Sequence, residues 1–497
     1  MICDCGITNH ESLITNHEYR SRDADVAQPD GIVIGSGPNG LAGAIALAQA
    51  GWKVTVYEAE STIGGGARSA ELTLPGFIHD VCSAVHATAV ASPFLRTLPL
   101  GKYGLEWIQP SAMVAHPFDD GTAAVVERSI ERTAARLGRD EQAYARLFGN
   151  LARSWPQIES SVLGPLRWPR HPFALAGFGL LALRSADALA KSTFVGERTR
   201  ALFGGIAAHG MVPLDQPLTA GFGLVLGAMA HIVGWVIPRG GAQKLTDALV
   251  AHLRTLGGEV VAGHRVTSLE DLPPARAVLC DLSPRPLLRI AGKRFPASYR
   301  RSLERYRYGM GVFKVDWALD APIPWRAAEC ARASTVHICG DVAELARSEQ
   351  DAWSGVASER PFVLLVQPTL FDPSRAPAGK HTAWAYCHVP SGSTVDMLPR
   401  IEAQIERFAP GFRDRVLARS VMSPADIEAH NANLVGGDIG SGIVDLRQFF
   451  TRPTWRTYST PLRGLYICSA ATPPGVGVHG MCGYFAAQRA LADASAR

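Results

Sequence analysis

Ile32-Val33-Ile34-Gly35-Ser36-Gly37-Pro38-Asn39-Gly40 decides the fold of this chain. The apolar run reads as a buried strand, and the glycines follow the G-x-G-x-x-G spacing of a dinucleotide-binding turn. Gly35 allows the tight exit from the strand, and Gly37 lets the backbone approach a pyrophosphate. Gly40 lets the next helix pack on the sheet with its N-terminal N–H groups aimed at phosphate. Leu41, Ile45 and Ala48 recur at helical spacing, and Gly51 suits the left-handed position just past a helix. A second strand, Val54 to Tyr57, runs into Glu58, where a carboxylate accepts hydrogen bonds from ribose hydroxyls. Strand, turn, helix, strand and acid in that order outweigh the reading of a lone flexible glycine loop.

Gly64-Gly65-Gly66 follows shortly after Glu58 and brings the backbone to the same pyrophosphate a second time. NAD domains do not usually carry this turn, so the site reads as one for FAD. A second glycine-rich run, Gly475 to Tyr484, comes after Leu465-Tyr466-Ile467-Cys468 and is placed to close over the isoalloxazine ring. With this pattern the chain resembles the flavoprotein superfamily of phytoene desaturases, amine oxidases and Rab GDP-dissociation inhibitors. Within it, the phytoene-desaturase-related branch matches best. The resemblance continues at Pro238-Arg239-Gly240-Gly241, at Asn433-Leu434-Val435-Gly436-Gly437-Asp438 and at Val478-His479-Gly480-Met481-Cys482-Gly483-Tyr484.

The resemblance implies an α/β fold, with a Rossmann-like FAD-binding domain of the GR2 type and a discontinuous α+β substrate domain. Residues 30–110, 232–298 and 426–497 are expected in the FAD-binding domain, and 111–231 and 299–425 in the substrate domain. It implies non-covalent FAD held by Gly35, Gly37, Pro38, Asn39, Gly40, Glu58, Ala59, Gly65, Gly66 and Arg68. Val266 is expected to offer its backbone to the adenine. Ala470 and Thr472 are expected near the ribityl chain and phosphate, and Gly480 and Met481 at the pyrimidine side of the ring. There a helix N-terminus, followed by Phe485, Ala486, Arg489 and Leu491, stabilises charge on the reduced flavin.

Composition fits a large enzyme of more than one domain: 497 residues, 47% hydrophobic and 19% charged. The net charge of +4 comes from scattered basic residues, which leaves no nucleic-acid footprint. Nine cysteines without a CxxC pair support neither a redox disulfide nor a zinc site, and read as reduced thiols of a cytoplasmic protein. Residues 1–29, with the repeats Ile7-Thr8-Asn9-His10-Glu11 and Ile14-Thr15-Asn16-His17-Glu18, read as a disordered extension without signal-peptide character.

The middle of the chain reads as helical over Glu127–Leu137, Asp140–Leu151 and Lys244–Leu256, and as strands over Val260–Val266, Ala277–Asp281, Val312–Trp317 and Phe362–Gln367. Leu218 to Ile237 lacks any Asp, Glu, Lys or Arg, yet its glycines favour a buried helix and strand lining the substrate cavity over a membrane span. From Arg167-Trp168-Pro169-Arg170 through Pro172 to Leu183, tryptophan and arginines border an apolar run. This suits either shallow insertion at a membrane surface or an ordinary core helix.

Flavin carries the hard step, so the protein must present a substrate C–H and exclude water. Lys314, in Gly311-Val312-Phe313-Lys314-Val315-Asp316-Trp317, resembles the amine-oxidase lysine that holds a water at flavin N5 and helps oxygen accept electrons. Its alternative is a solvated lysine on an edge strand. His479 is either a proton carrier or a packing residue. His79, Asp80, His86, His337 and His388 are weaker candidates. Three classes follow. The leading one desaturates a hydrophobic isoprenoid-like or alicyclic substrate, with oxygen or a quinone as acceptor. The others are an amine-oxidase-type enzyme and a non-enzymatic, GDP-dissociation-inhibitor-like lipid-binding protein.

Overall fold

The structure is a computed structural model that describes residues 28–496, so the extension expected at the start of the chain lies almost wholly outside the described residues. Two sheets organise them. In the first, Gly31–Ile34 is central, flanked by Val54–Tyr57 and Ala277–Cys280, with Glu259–Val261 and Leu465–Ile467 at the edges. All four pairings are parallel. The central strand is buried along its whole length, as expected of a parallel sheet covered by helices on both faces.

The expected first helix is Pro38–Gln49, with proline in its first turn and Gly51 in the left-handed conformation just beyond it. It packs against Met481–Ser495 at backbone contact. A Cβ built on Gly483 would lie 1.7 Å from the carbonyl oxygen of Asn39, so only glycine permits this crossing. The core beneath joins Val33, Leu41, Ile45, Val56, Leu249, Leu279 and Ala487, residues drawn from both ends of the chain.

The second sheet has seven strands in the order Val416–Met422, Gly311–Leu319, His381–Val389, Val363–Val366, Ala333–Ile338, Ala112–Pro117 and Ala123–Val126. Only Ala333–Ile338 and Ala112–Pro117 run parallel. Leu398–Phe408 helps cover one face. The helices Glu141–Val162, Glu197–Ala207 and Thr219–Ile232 gather over the other through Phe148, Phe203 and Leu224.

Three local expectations need correction. The helix expected over Glu127–Leu137 is confined to Ile130–Ala134, because Ser129 caps it and buried Glu127 is turned to Arg132, Arg136 and Arg332. The run Val260–Val266 is a strand only over Glu259–Val261. Beyond that, the Gly263 and His264 N–H groups bond to the carbonyls of Glu60 and Glu58, at 2.8 and 2.7 Å. Gly311–Leu319, which carries Lys314, is no edge strand, being paired on both sides and buried throughout.

Candidate functional site

Chain order reverses across Gly31–Ile34, and at the carboxyl ends of the parallel strands a crevice opens, where such folds place their ligands. It belongs to a cavity of about 1040 Å³ that reaches from the first sheet to the face of the second. Gly35, Gly37, Pro38, Asn39, Glu58, Ala59, Gly65, Gly66, Arg68, Val266 and Ala470 all line it. Gly40 lies just behind, where a Cβ would come within 2.1 Å of the Gly35 carbonyl oxygen. Thr472 faces away, its hydroxyl bonded to the Ser469 carbonyl at 2.8 Å.

Glu58 is buried at the end of its strand. One carboxylate oxygen accepts from the Ser36 N–H and hydroxyl at 2.9 and 2.6 Å, the other from the Glu60 N–H at 2.9 Å. Asp281, at the end of Ala277–Cys280, accepts the Gly40 N–H at 3.0 Å and so sits at the helix N-terminus prepared for phosphate. Burial, with Glu58 close by, pushes its carboxyl up to about 7. Arg68 is tied to the Gly65 carbonyl at 2.9 Å and to His430. An elongated dinucleotide fits these residues: a floor without side chains, a ribose-side acid, and a cavity that continues far beyond both.

The second glycine run contributes Val476, Gly477, Val478 and His479 to the wall, while Gly480 and Met481 lie behind it. Met481 is buried in the flavin-domain core, and Gly480 packs on Ala42 of the first helix. His479 has both ring nitrogens engaged by backbone: Nδ1 accepts from the Met481 N–H at 3.0 Å, and Nε2 donates to the Gly475 carbonyl at 3.2 Å. Burial brings its pKa down to about 4. That arrangement braces the turn that carries it.

Lys314 is buried and ion-paired with Asp316, under the Trp384 ring at 5.3 Å from the ring centre. It borders a void of about 20 Å³ shared with Cys82, Tyr386 and His430, large enough for one water. Asp316 continues to His79 at 3.4 Å, and Asp80 pairs with Arg375 at 3.0 Å. His79, Asp80 and His86 do not line the cavity; Cys82, Ser83, Ala84 and Val85 do.

Of the far end, sequence reading named only the run Leu218 to Ile237, which does line it, and missed the strands opposite. Leu226, Met229, Trp235, Leu364, Val366, Trp384 and Tyr386 form its wall. Trp384 and Tyr386 stack, with centroids 5.8 Å apart and planes 16° from parallel. His209 is the imidazole on that wall. Its Nε2 lies 3.0 Å from His337 Nε2, and beyond them His388 is bonded to buried Glu349 at 2.8 Å. Burial, reinforced by His388, brings His209 down to about 3, so it is a neutral base at ordinary pH. Arg452 was missed too. Its guanidinium donates to the carbonyls of Gly440, Ser441, Gly442, Ile443 and Ala470 and ties the loop after Asp438 to the cavity wall. Asp281 had a local signal only as an acid ending a strand, since the Gly40 it meets lies 241 positions away.

Comparison with known proteins agrees with this architecture. Residues 33–98 match the NAD(P)-binding Rossmann-like domain model. The chain is similar to pyridine nucleotide-disulfide oxidoreductase domain-containing protein 2 of Mus musculus, 26% identical over 93% of each chain. It is also similar to a phytoene dehydrogenase of Streptomyces griseus, 28% identical over 78% of this chain and 77% of that one. Among solved structures, an oxidoreductase from Methanosarcina mazei shares the fold, with a TM-score of 0.64, 17% identity, and coverage of 92% of this chain and 99% of that one. These findings bear out the resemblance and the fold class read from the sequence.

Proposed function

We propose that the chain, similar over most of its length to a pyridine nucleotide-disulfide oxidoreductase domain-containing protein 2 and to phytoene dehydrogenase and desaturase, is an oxidoreductase that holds FAD non-covalently and desaturates a hydrophobic, isoprenoid-like or alicyclic substrate, with oxygen or a quinone as electron acceptor. One observation carries the substrate class. The far end of the cavity is walled by aliphatic and aromatic side chains, and the acids that line the cavity, Glu58, Glu60 and Asp281, sit at its nucleotide end. An ammonium substrate would find no carboxylate there. Trp384 and Tyr386 lie on each other, leaving no gap between them for an amine. The amine-oxidase reading is therefore not favoured.

When bound, FAD supplies the hydride acceptor. Glu58 is placed to accept the ribose hydroxyls in place of the Ser36 groups it now holds, and the glycine turns admit the diphosphate. The apolar wall orients the substrate and excludes water. Loss of hydride makes the C–H on the neighbouring carbon strongly acidic, so that His209, a weak base in this buried setting, can take its proton, with His337 fixing its ring through Nε2.

The first test is the visible spectrum of the purified protein before and after heat denaturation, followed by anaerobic bleaching with isoprenoid and alicyclic hydrocarbons. A flavin chromophore released into the supernatant and bleached by such compounds is expected. A colourless protein that takes up no added FAD, or a flavin bleached only by amines, would overturn the reading. His209→Ala should lower the bleaching rate by roughly 10²-fold or more while FAD stays bound.

A further inference from the structure

The helix Pro172–Ala182 is the least covered apolar element among the described residues. Phe173 is 92% exposed, Leu180 75% and Leu183 48%, and the preceding loop exposes Trp168 at 90% and Leu166 at 58%. Large side chains of this kind normally seek the interior, and a cluster of them in the open marks a surface that meets something apolar. The helix carries no charged residue, whereas Arg167, Arg170 and Arg184 stand at its two ends; among the described residues none of the three is in an ion pair, Arg184 donating to the Ala188 carbonyl and Ser192 hydroxyl and Arg167 to the Ser160 carbonyl. The same segment is also cavity wall. Leu175, Phe178, Gly179 and Ala182 face inward, while Leu166, Arg167 and Leu183 both line the cavity and reach solvent, so the cavity opens here.

We propose that this face rests in the surface of a lipid bilayer carrying anionic headgroups, and that the substrate enters between the helix and the loop at residues 164–167. Phe173 and Leu180 would enter the acyl region, Trp168 would sit at the headgroup level, and the arginines would meet lipid phosphates. Eleven residues span about 16 Å, far short of the ~30 Å hydrocarbon core. The next helix, Ala186–Thr193, turns away by 97° and carries Asp187 and Lys191, so the segment lies along the surface instead of crossing it. The choice of lipid over a protein partner rests on the arginines left without acidic partners at both ends of a charge-free helix. Docking stands on this surface alone; the entry route rests on the proposed hydrophobic substrate.

The experiment is sedimentation of the full, FAD-loaded chain with vesicles of phosphatidylcholine, alone or mixed with phosphatidylglycerol. Binding that strengthens with phosphatidylglycerol is expected, and Phe173→Ser/Leu180→Ser should weaken it roughly tenfold or more. Neither side chain lines the cavity, so flavin content and melting temperature should hold. Arg167→Glu/Arg170→Glu should abolish the preference for phosphatidylglycerol. Protein that stays in the supernatant with both vesicles, or binding unchanged in the serine variant, overturns the proposal. So does a wild-type dimer that the serine variant converts to monomer without any vesicle binding, since a second copy would then cover the face. None of these outcomes depends on finding a substrate.

Discussion

At Asp281 a carboxyl occupies the helix N-terminus that the glycine turn prepares for phosphate. A diphosphate brought beside it disfavours its ionised form, so above about pH 7 binding of FAD takes up a proton. The affinity for FAD should then fall as pH rises past 7, by up to about tenfold per unit. Fluorescence titration between pH 6 and 9 reads this directly, and Asp281→Asn should flatten the profile; a wild-type profile already flat refutes it. Lys314 poses a different question. Removing it alone would leave the buried Asp316 carboxylate with only His79 beside it, so the informative variant is Lys314→Met with Asp316→Asn. If the void beside Lys314 holds the water that assists oxygen, this variant should keep its FAD but reoxidise at least tenfold more slowly in air-saturated buffer. An unchanged rate assigns the lysine to packing.

Among elements, the crossing of Pro38–Gln49 with Met481–Ser495 fixes the site, because it sets the second glycine run against the first. Gly483→Val cannot be accommodated at a 1.7 Å approach without parting the helices. Purified variant should lose most of its flavin and melt several degrees lower, and full flavin occupancy would show that the crossing is dispensable. The same elements explain what could be read in advance. The first strand, its turn, the helix and Glu58 are contiguous, so local propensity and spacing fix them together. Pairing partners are not local. Val312–Trp317 announces a strand, but nothing in it says that His381–Val389 and Val416–Met422 lie on either side, which is why a solvated edge lysine stood as the alternative for Lys314. His209 and His337 meet across 128 positions, a contact with no periodic signature. His479 was visible as a motif residue, yet its role depended on which backbone groups its ring would meet.

Taken whole, the molecule buries many neutral imidazoles. Burial brings His86, His116 and His479 down to about 4 and His209 to about 3. Their folded pKa values lie below the unfolded value near 6.5, so these sites do not reduce stability above pH 6.5. As pH falls from 6.5 towards 4 the unfolded chain takes up protons that the folded chain refuses, at a cost of up to about 1.4 kcal/mol per unit for each group. The melting temperature should drop steeply between pH 6.5 and 4.5, and a level trace by differential scanning fluorimetry would show that these rings protonate in place. The parallel sheet has one further consequence. Its central strand begins at Gly31, but its edge strand begins at Leu465. A ribosome therefore delivers the phosphate turn hundreds of residues before the strand and helix that complete its surroundings. The complete cleft is accordingly on offer to a flavin only after the last strand and helix have left the ribosome.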